Sequence, residues 1–410
     1  MNNKFQELND SKEGPGKIDE ISISFDKLNS YKIPFPPIGF CRLSRLEQLS
    51  KTEISSLANL NFSFYTILLN LVSPDWQIAF KMANNEAKGL KIPMQVILQF
   101  GDDIENELKE FIELCNTIFP FIEEVILLQK ESKLNPSNLL NKALPYLREG
   151  LHHVKIGIGA YTELEGIVKQ KADLNEADFL SLPFQATISH DSISDLQSES
   201  ARQIDLIREF KASFPSKQIY VIPMSLNAGL EMLSGDSSKL ISNESSLLSY
   251  LAASGKPISI LKTLIFSGID SISFYENRGK SEIFATDTSD IKVENINSIP
   301  FFYFLREVLD MNNGFIIQAE NSSPSHIDAF IASVRGKIKV MLINLTGAKQ
   351  SISLSGISHH AKIEMFDSKW IKKVLARSSE NESHIGQELS FHDGRTSILV
   401  EPFGIALIQE

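Results

Sequence analysis

The chain has 410 residues, of which 42% are hydrophobic and 22% charged, and its formal net charge is -11. This length suits one large domain with an accessory one, and the apolar share is enough for a sizeable core. The negative balance, with no Lys/Arg block set against it, argues against nucleic acid and anionic membranes as partners.

At the N-terminus, residues 1–16 are polar and acidic and lack the apolar segment of a secretory signal. No apolar run approaches the ~20 residues needed to cross a bilayer. Cys41 and Cys115 are the two cysteines, too few for a disulfide framework or a zinc cluster. The expected compartment is therefore the cytoplasm. Residues 1–34 read as a tail, in which the alternation of Ile21, Ile23 and Phe25 offers a strand to a β domain further along.

From Ile38 onward, short apolar runs alternate with longer amphipathic ones. The runs 38–41, 62–69, 94–99, 124–128, 154–158, 179–182, 219–223 and 271–275 are apolar on both faces, as expected of strands covered by helices. Helical patterns lie between them. Pro74-Asp75-Trp76 opens one that Gly89 is placed to close. Others start at Asp102 and Asn135 or span 194–214, 244–266 and 299–309. Eight strands alternating with helices across residues 35–313 predict an α/β fold, a (β/α)8 TIM barrel. The competing doubly wound sheet lacks its Gly-rich nucleotide loop.

After Asn313 the period falls to two. Residues 327–334 and 338–343, joined at Arg335-Gly336, read as a hairpin. Further alternation at 351–354, 362–366, 397–400 and 405–408 makes 314–410 a small antiparallel β-sandwich domain.

In such barrels the chemistry sits at the carboxyl ends of the strands. The eighth run ends Phe274-Tyr275-Glu276-Asn277-Arg278, and the fourth leads to Lys130-Glu131. A carboxylate beside two aromatics at a strand end is expected to be partly desolvated, which raises its pKa and suits acid/base work. Two acids in one cleft allow a division into general acid and general base. His190, after the sixth run, is placed to orient or protonate a substrate oxygen. The bland alternative pairs Glu131 with Lys130 and Glu276 with Arg278. Cys41 reads as a free buried thiol. No metal or cofactor motif is present, and the adjacent pairs His152-His153 and His359-His360 lack ligand spacing.

Pro37-Ile38-Gly39, Pro74-Asp75-Trp76, Ala160-Tyr161-Thr162-Glu163-Leu164, His190-Asp191, Phe274-Tyr275-Glu276 and Ile343-Asn344-Leu345-Thr346 follow the order found in D-apionate lactonases. Over residues 35–356 the chain resembles that family, which has a glycoside-hydrolase-like barrel followed by a β domain. The resemblance implies a small sugar-acid lactone as substrate. It implies Glu131, Glu276 and His190 as catalytic groups, and Tyr161, Thr162 and Glu163 as a substrate-binding loop, to which the strand-end reading adds Tyr275 and Arg278. The sequence departs from the family at Tyr65-Thr66-Ile67-Leu68, where an Arg and an Asp are usual, and at Ala186-Thr187, where Asn-Pro is usual. Losing groups that hydrogen-bond a polar substrate changes the substrate accepted. Three functions therefore compete: a lactone hydrolase, a glycosidase on a small terminal sugar, and a barrel that binds a metabolite without turnover.

Overall fold

In this computed structural model, the described residues are 20–43, 48–129, 136–159, 174–188, 193–228, 244–275, 300–357, 360–375 and 386–410. Two short strands, β1 (Ile21–Ser24) and β2 (Lys32–Pro34), come first. Eight parallel strands then close into a barrel in chain order: β3 (Ile38–Leu43), β4 (Tyr65–Asn70), β5 (Met94–Phe100), β6 (Ile122–Gln129), β7 (Lys155–Gly159), β8 (Phe179–Ile188), β9 (Gln218–Ala228) and β10 (Ser271–Tyr275). The ring shuts where β10 pairs with β3, setting Tyr275 beside Cys41. Every run read from the sequence is one of these strands, and 271–275 matches residue for residue.

Helices cover the barrel because each strand has an apolar outer side. Phe40, Tyr65, Val96, Leu98, Val125 and Leu127 face outward into the same core cluster as Phe80, Leu108, Phe111 and Leu147 of α2 (Trp76–Leu90), α3 (Ile104–Ile118) and α4 (Pro136–Gly150). Each fully buried aromatic of this kind contributes about 1.5–3 kcal/mol through removal of apolar surface from water.

Two local expectations need correction. Gly89 does not end α2; the left-handed cap is Lys91, with φ 59°. Gly89 instead lies within the helix, where a Cβ would meet Ile54 Cγ2 at 3.3 Å, so the glycine allows close approach of α1 (Lys51–Ala58). The sixth strand does not stop at Leu182. A bulge lies between Leu182 and Phe184, after which β8 stays paired with β9 as far as Ile188↔Ala228. The last pair of β10 with β9 is Phe274↔Met224, so this two-stranded ribbon rises ~13 Å beyond it at 3.3 Å per residue.

The β domain has two sheets. One runs in the order β12 (Glu320–Asn321), β1, β15 (Gln350–Ser355), β18 (Arg395–Val400). The other runs β17 (Gln387–Glu388), β16 (Lys362–Phe366), β19 (Ile405–Gln409), β14 (Lys337–Asn344), β13 (Ile327–Val334), β11 (Phe315–Ile317), β2. The expected hairpin is β13–β14, turning at Arg335 (φ 51°) and Gly336 (φ 84°), the two positive dihedrals of a type I′ turn. The strand offered by 21–25 is β1, which pairs in parallel with β15 from Ile21↔Ile352 to Ser24↔Ser355. The sheets enclose a second core of Ile23, Ile331, Val340, Ile352, Leu354, Val400 and Ile408.

The longer sheet turns its other face to the barrel helices. Phe366 and Trp370 pack edge-on or tilted with Phe304 of the helix Pro300–Leu309, with ring centroids 4.9–5.8 Å apart. In the helix Glu244–Phe266, Gly255 lies flat against the sheet, where a Cβ would come within 2.8 Å of Ile343 Cγ2. Asp328 of β13 takes hydrogen bonds from Ser259 and Lys262 of the same helix.

Candidate functional site

The barrel interior is built in tiers. At the amino-terminal floor a hydrogen-bonded chain crosses five strands. The hydroxyls of Thr66 and Ser273 are 3.0 Å apart, and Thr66 Oγ1 donates to Gln95 Oε1 at 2.9 Å. Gln95 Nε2 donates to Glu124 Oε2 at 2.6 Å, and Tyr220 Oη donates to Glu124 Oε1 at 2.8 Å. Lys155 Nζ lies 3.8 Å from the same carboxylate. Burial, reinforced by the Glu124 charge, pushes the Tyr220 phenol well above its usual pKa. Above this floor, Cys41, Leu68, Ile97, Ile126, Leu128, Phe179 and Ile222 fill the middle of the barrel, with the Phe179 and Tyr220 rings stacked at 4.2 Å. Cys41 is buried and in no disulfide, as expected from the sequence.

The carboxyl rim begins above that apolar tier. Asn70 and Gln99 lie side by side in register on β4 and β5. The Asn70 side chain accepts from Val72 N at 3.3 Å, which shapes the loop leaving β4. Behind β5, Glu107 Oε2 accepts from Gly101 N at 3.0 Å. Burial is the main cause raising the Glu107 pKa, opposed by the backbone N–H groups of Gly101 and Asp103. Glu107 was not singled out from the sequence. Its only sequence signal was an acid in the first turn of α3, and its bond to the loop gives it a positioning job.

The residues singled out from the sequence follow these strand ends. Glu131 comes two positions after β6, His190 two after β8 and Glu276 one after β10. Tyr161, Thr162 and Glu163 follow β7, and Arg278 follows Glu276. All seven lie outside the described residues, as do His359 and Lys130. Tyr275 closes β10, paired through its backbone with Cys41. The barrel order makes β6, β7, β8 and β10 its fourth, fifth, sixth and eighth strands, so the strand numbering used for these residues holds.

Trp76 and Trp370, the two tryptophans, are buried against helices, so neither offers a ring to a ligand at the rim. Among the described residues, no group of three or more His, Cys, Asp or Glu is arranged to hold a metal ion. No helix among them is long and apolar enough to cross a membrane.

No protein-family model matches the sequence, and no curated protein matches it either. Solved structures do match the fold. A glycoside hydrolase family 30 endoxylanase from Clostridium papyrosolvens C71 superposes with TM-score 0.58 at 9% identity, covering 95% of this chain and 99% of that one. A family 51 α-L-arabinofuranosidase from Bifidobacterium longum gives TM-score 0.64 at 10% identity, covering 95% and 99%. A conserved exported protein from Bacteroides fragilis gives 0.62 at 8%, covering 95% and 100%. The chain thus has a glycoside-hydrolase-like fold, a TIM barrel with an attached β domain.

Proposed function

With that fold as the starting point, we propose that the chain is a hydrolase of a small sugar-derived substrate, acting at the carboxyl rim of the barrel. One observation carries the reading: on a glycoside-hydrolase-like barrel, the acids Glu131 and Glu276 and the imidazole of His190 come directly after the carboxyl ends of strands four, eight and six. Either acid, as carboxylate, activates water. The other, as carboxylic acid, donates a proton, and His190 hydrogen-bonds the oxygen that gains charge. Tyr161, Thr162, Glu163, Tyr275 and Arg278 hold the substrate, the guanidinium suiting a carboxylate or ring oxygen.

The bond that is cut divides two versions of this proposal. The short motifs shared with D-apionate lactonases favour a lactone, whose opening needs only an activated water and a stabilised tetrahedral oxyanion. The fold favours a glycoside. Retaining cleavage of a glycoside requires two carboxyls about 5–5.5 Å apart. Strand seven is β9, and Glu231 follows it by three positions, which makes it the acid to set against Glu276 in this version. Inward side chains are Glu124, Ile126 and Leu128 on β6 and Ser271 and Ser273 on β10. The proposal therefore requires the alternation to break before Glu131 and before Glu276.

The test is hydrolysis of sugar-acid lactones and of aryl glycosides by the wild type and by Glu131→Gln, Glu231→Gln and Glu276→Gln. Lactone turnover lost in Glu276→Gln and kept in Glu231→Gln supports lactone opening. Glycoside turnover lost in Glu231→Gln and Glu131→Gln supports a glycosidase. Turnover unchanged in Glu131→Gln and Glu276→Gln rejects the assignment of these acids, and sugar binding without turnover leaves a non-catalytic barrel.

A further inference from the structure

Strand β5 carries two inward glutamines, one at each end of the barrel, and they differ in what they touch. Gln95, on the floor, accepts from Thr66 Oγ1 at 2.9 Å and donates to Glu124 Oε2 at 2.6 Å, so both ends of its amide are used. Gln99 lies about 13 Å further along the strand, at ~3.3 Å per residue, on the same inward side as Ile97. It is 7% exposed, and its side-chain amide has no hydrogen-bond partner among the described residues. Buried amides are nearly always hydrogen-bonded, so one left open at the carboxyl rim points to a polar group that a ligand brings.

Asn70 stands beside it in register, and alternation from Leu68 puts it on the same inward side. Its Oδ1 is taken by Val72 N at 3.3 Å, which leaves Nδ2 as a donor. The backbone holds both residues still: Leu71 N donates to Gln99 O at 3.0 Å, and Ser73 N to Asn70 O at 2.9 Å. The bond from Gly101 N to Glu107 then fixes the chain leaving β5. On its other side Gln99 is in register with Leu128, which has no polar side-chain atom to offer. The two amides therefore present two N–H donor groups and one carbonyl acceptor, all uncharged. A hydroxyl both donates and accepts, so it matches this set, whereas an ion would meet a group of its own sign. With the strands ~4.8 Å apart, two hydroxyls on adjacent carbons of one ring can reach both side chains.

We propose that Gln99 and Asn70 are specificity-determining residues that read a vicinal diol on the substrate. A ligand lacking one hydroxyl leaves a buried amide unpaired and is rejected for that reason. That the diol belongs to a sugar-derived substrate rests on the hydrolase reading of the rim; the amide pair does not.

The test is equilibrium binding to the full chain by ligand-observed NMR. Anhydroerythritol, a small ether ring with a vicinal diol, is compared with hydroxytetrahydrofuran, the same ring with a single hydroxyl. Neither probe has a lactone or glycosidic bond. Gln99→Met keeps the length of the side chain without its amide. Asn70→Asp keeps the acceptor for Val72 N and replaces the free donor. The diol is expected to bind the wild type roughly tenfold more tightly than the single hydroxyl, as for one hydrogen bond, and this ratio is expected to fall to about one in each variant. Being a ratio of two ligands on one protein, it does not depend on the fraction folded. A ratio unchanged in either variant, or no saturable binding of the diol to the wild type, overturns the proposal. A chain that hydrolyses neither lactones nor glycosides yet selects the diol through Gln99 sinks the hydrolase reading alone. A chain that hydrolyses them while binding both probes alike sinks this one alone.

Discussion

Glu86 offers the clearest energetic test of the structure. Its carboxylate, on α2, lies behind the barrel wall with its side chain 1% exposed, and it faces an Arg42 side chain that is 5% exposed. Arg42 Nη1 donates to both oxygens, at 2.6 and 2.5 Å; Leu49 N adds a bond at 2.7 Å and Tyr65 Oη another at 2.8 Å. One carboxylate thus ties β3, β4, α2 and the segment entering α1. Glu86→Ala removes a bidentate carboxylate partner from a guanidinium that is 5% exposed, and breaking a buried pair in this way costs about 3–5 kcal/mol. The upper half of that range is expected, because a backbone N–H and a phenol lose their acceptor too. Replacing both partners, Arg42→Met with Glu86→Leu, leaves no stranded charge and should cost less than either single change. Urea unfolding followed by circular dichroism measures Glu86→Ala together with the four proteins of this cycle, compared at constant slope. A loss below about 1 kcal/mol in Glu86→Ala, with the slope unchanged, would refute the reasoning.

Three other outcomes are expected. Tyr220→Phe removes the donor to Glu124 at the barrel floor and should cost about 0.5–1.5 kcal/mol in the same urea assay. Because the Tyr220 pKa is raised in the folded chain, its contribution is complete below the unfolded tyrosine value of about 10 and fades as pH climbs above it. Stability of the wild type should therefore fall more steeply than that of Tyr220→Phe in that alkaline range, and parallel curves would contradict this. Burial lifts the Cys115 thiol to about 12, and Cys41 is also enclosed, so an aromatic disulfide reagent near pH 8 should label neither thiol until denaturant is added. Gly255→Val forces atoms into the space held by Ile343 and Ile405 and should destabilise the chain by roughly 1–3 kcal/mol in thermal or urea melts; a neutral result would mean that helix and sheet can part there without cost.

The barrel was legible because a strand buried on both sides leaves a run such as Val96-Ile97-Leu98 or Val125-Ile126-Leu127-Leu128 with little else to become. The upper parts of β8 and β9 were not. Gln185-Ala186-Thr187 and Ser225-Leu226-Asn227 have no such signature, and each is a strand only because the other lies beside it. α1 left a local signal that went unused: Ser50 and Glu53 form a capping box, the spacing that marks a helix start. The helix Ser368–Leu375 was hidden by its setting, eight residues between strands where period 2 was expected. Its Trp370 and Ile371 are nonetheless the apolar side that meets Phe304 and Phe366. For the site, the sequence supplied positions relative to strand ends. It missed the polar floor because Thr66, Gln95, Glu124 and Tyr220 are scattered over four strands and converge only when the ring closes.

The pairing of Ile21 with Ile352 has a temporal side. During synthesis β1 and β2 leave the ribosome before the barrel strands, yet their partners β15 and β11 emerge only after every strand of the barrel. In the folded chain, strands that follow the barrel thus hold in place segments that precede it. Removing residues 20–34 would strip a strand from each sheet of the β domain, so β1 and β2 have to be treated as one structural unit with the strands that follow the barrel.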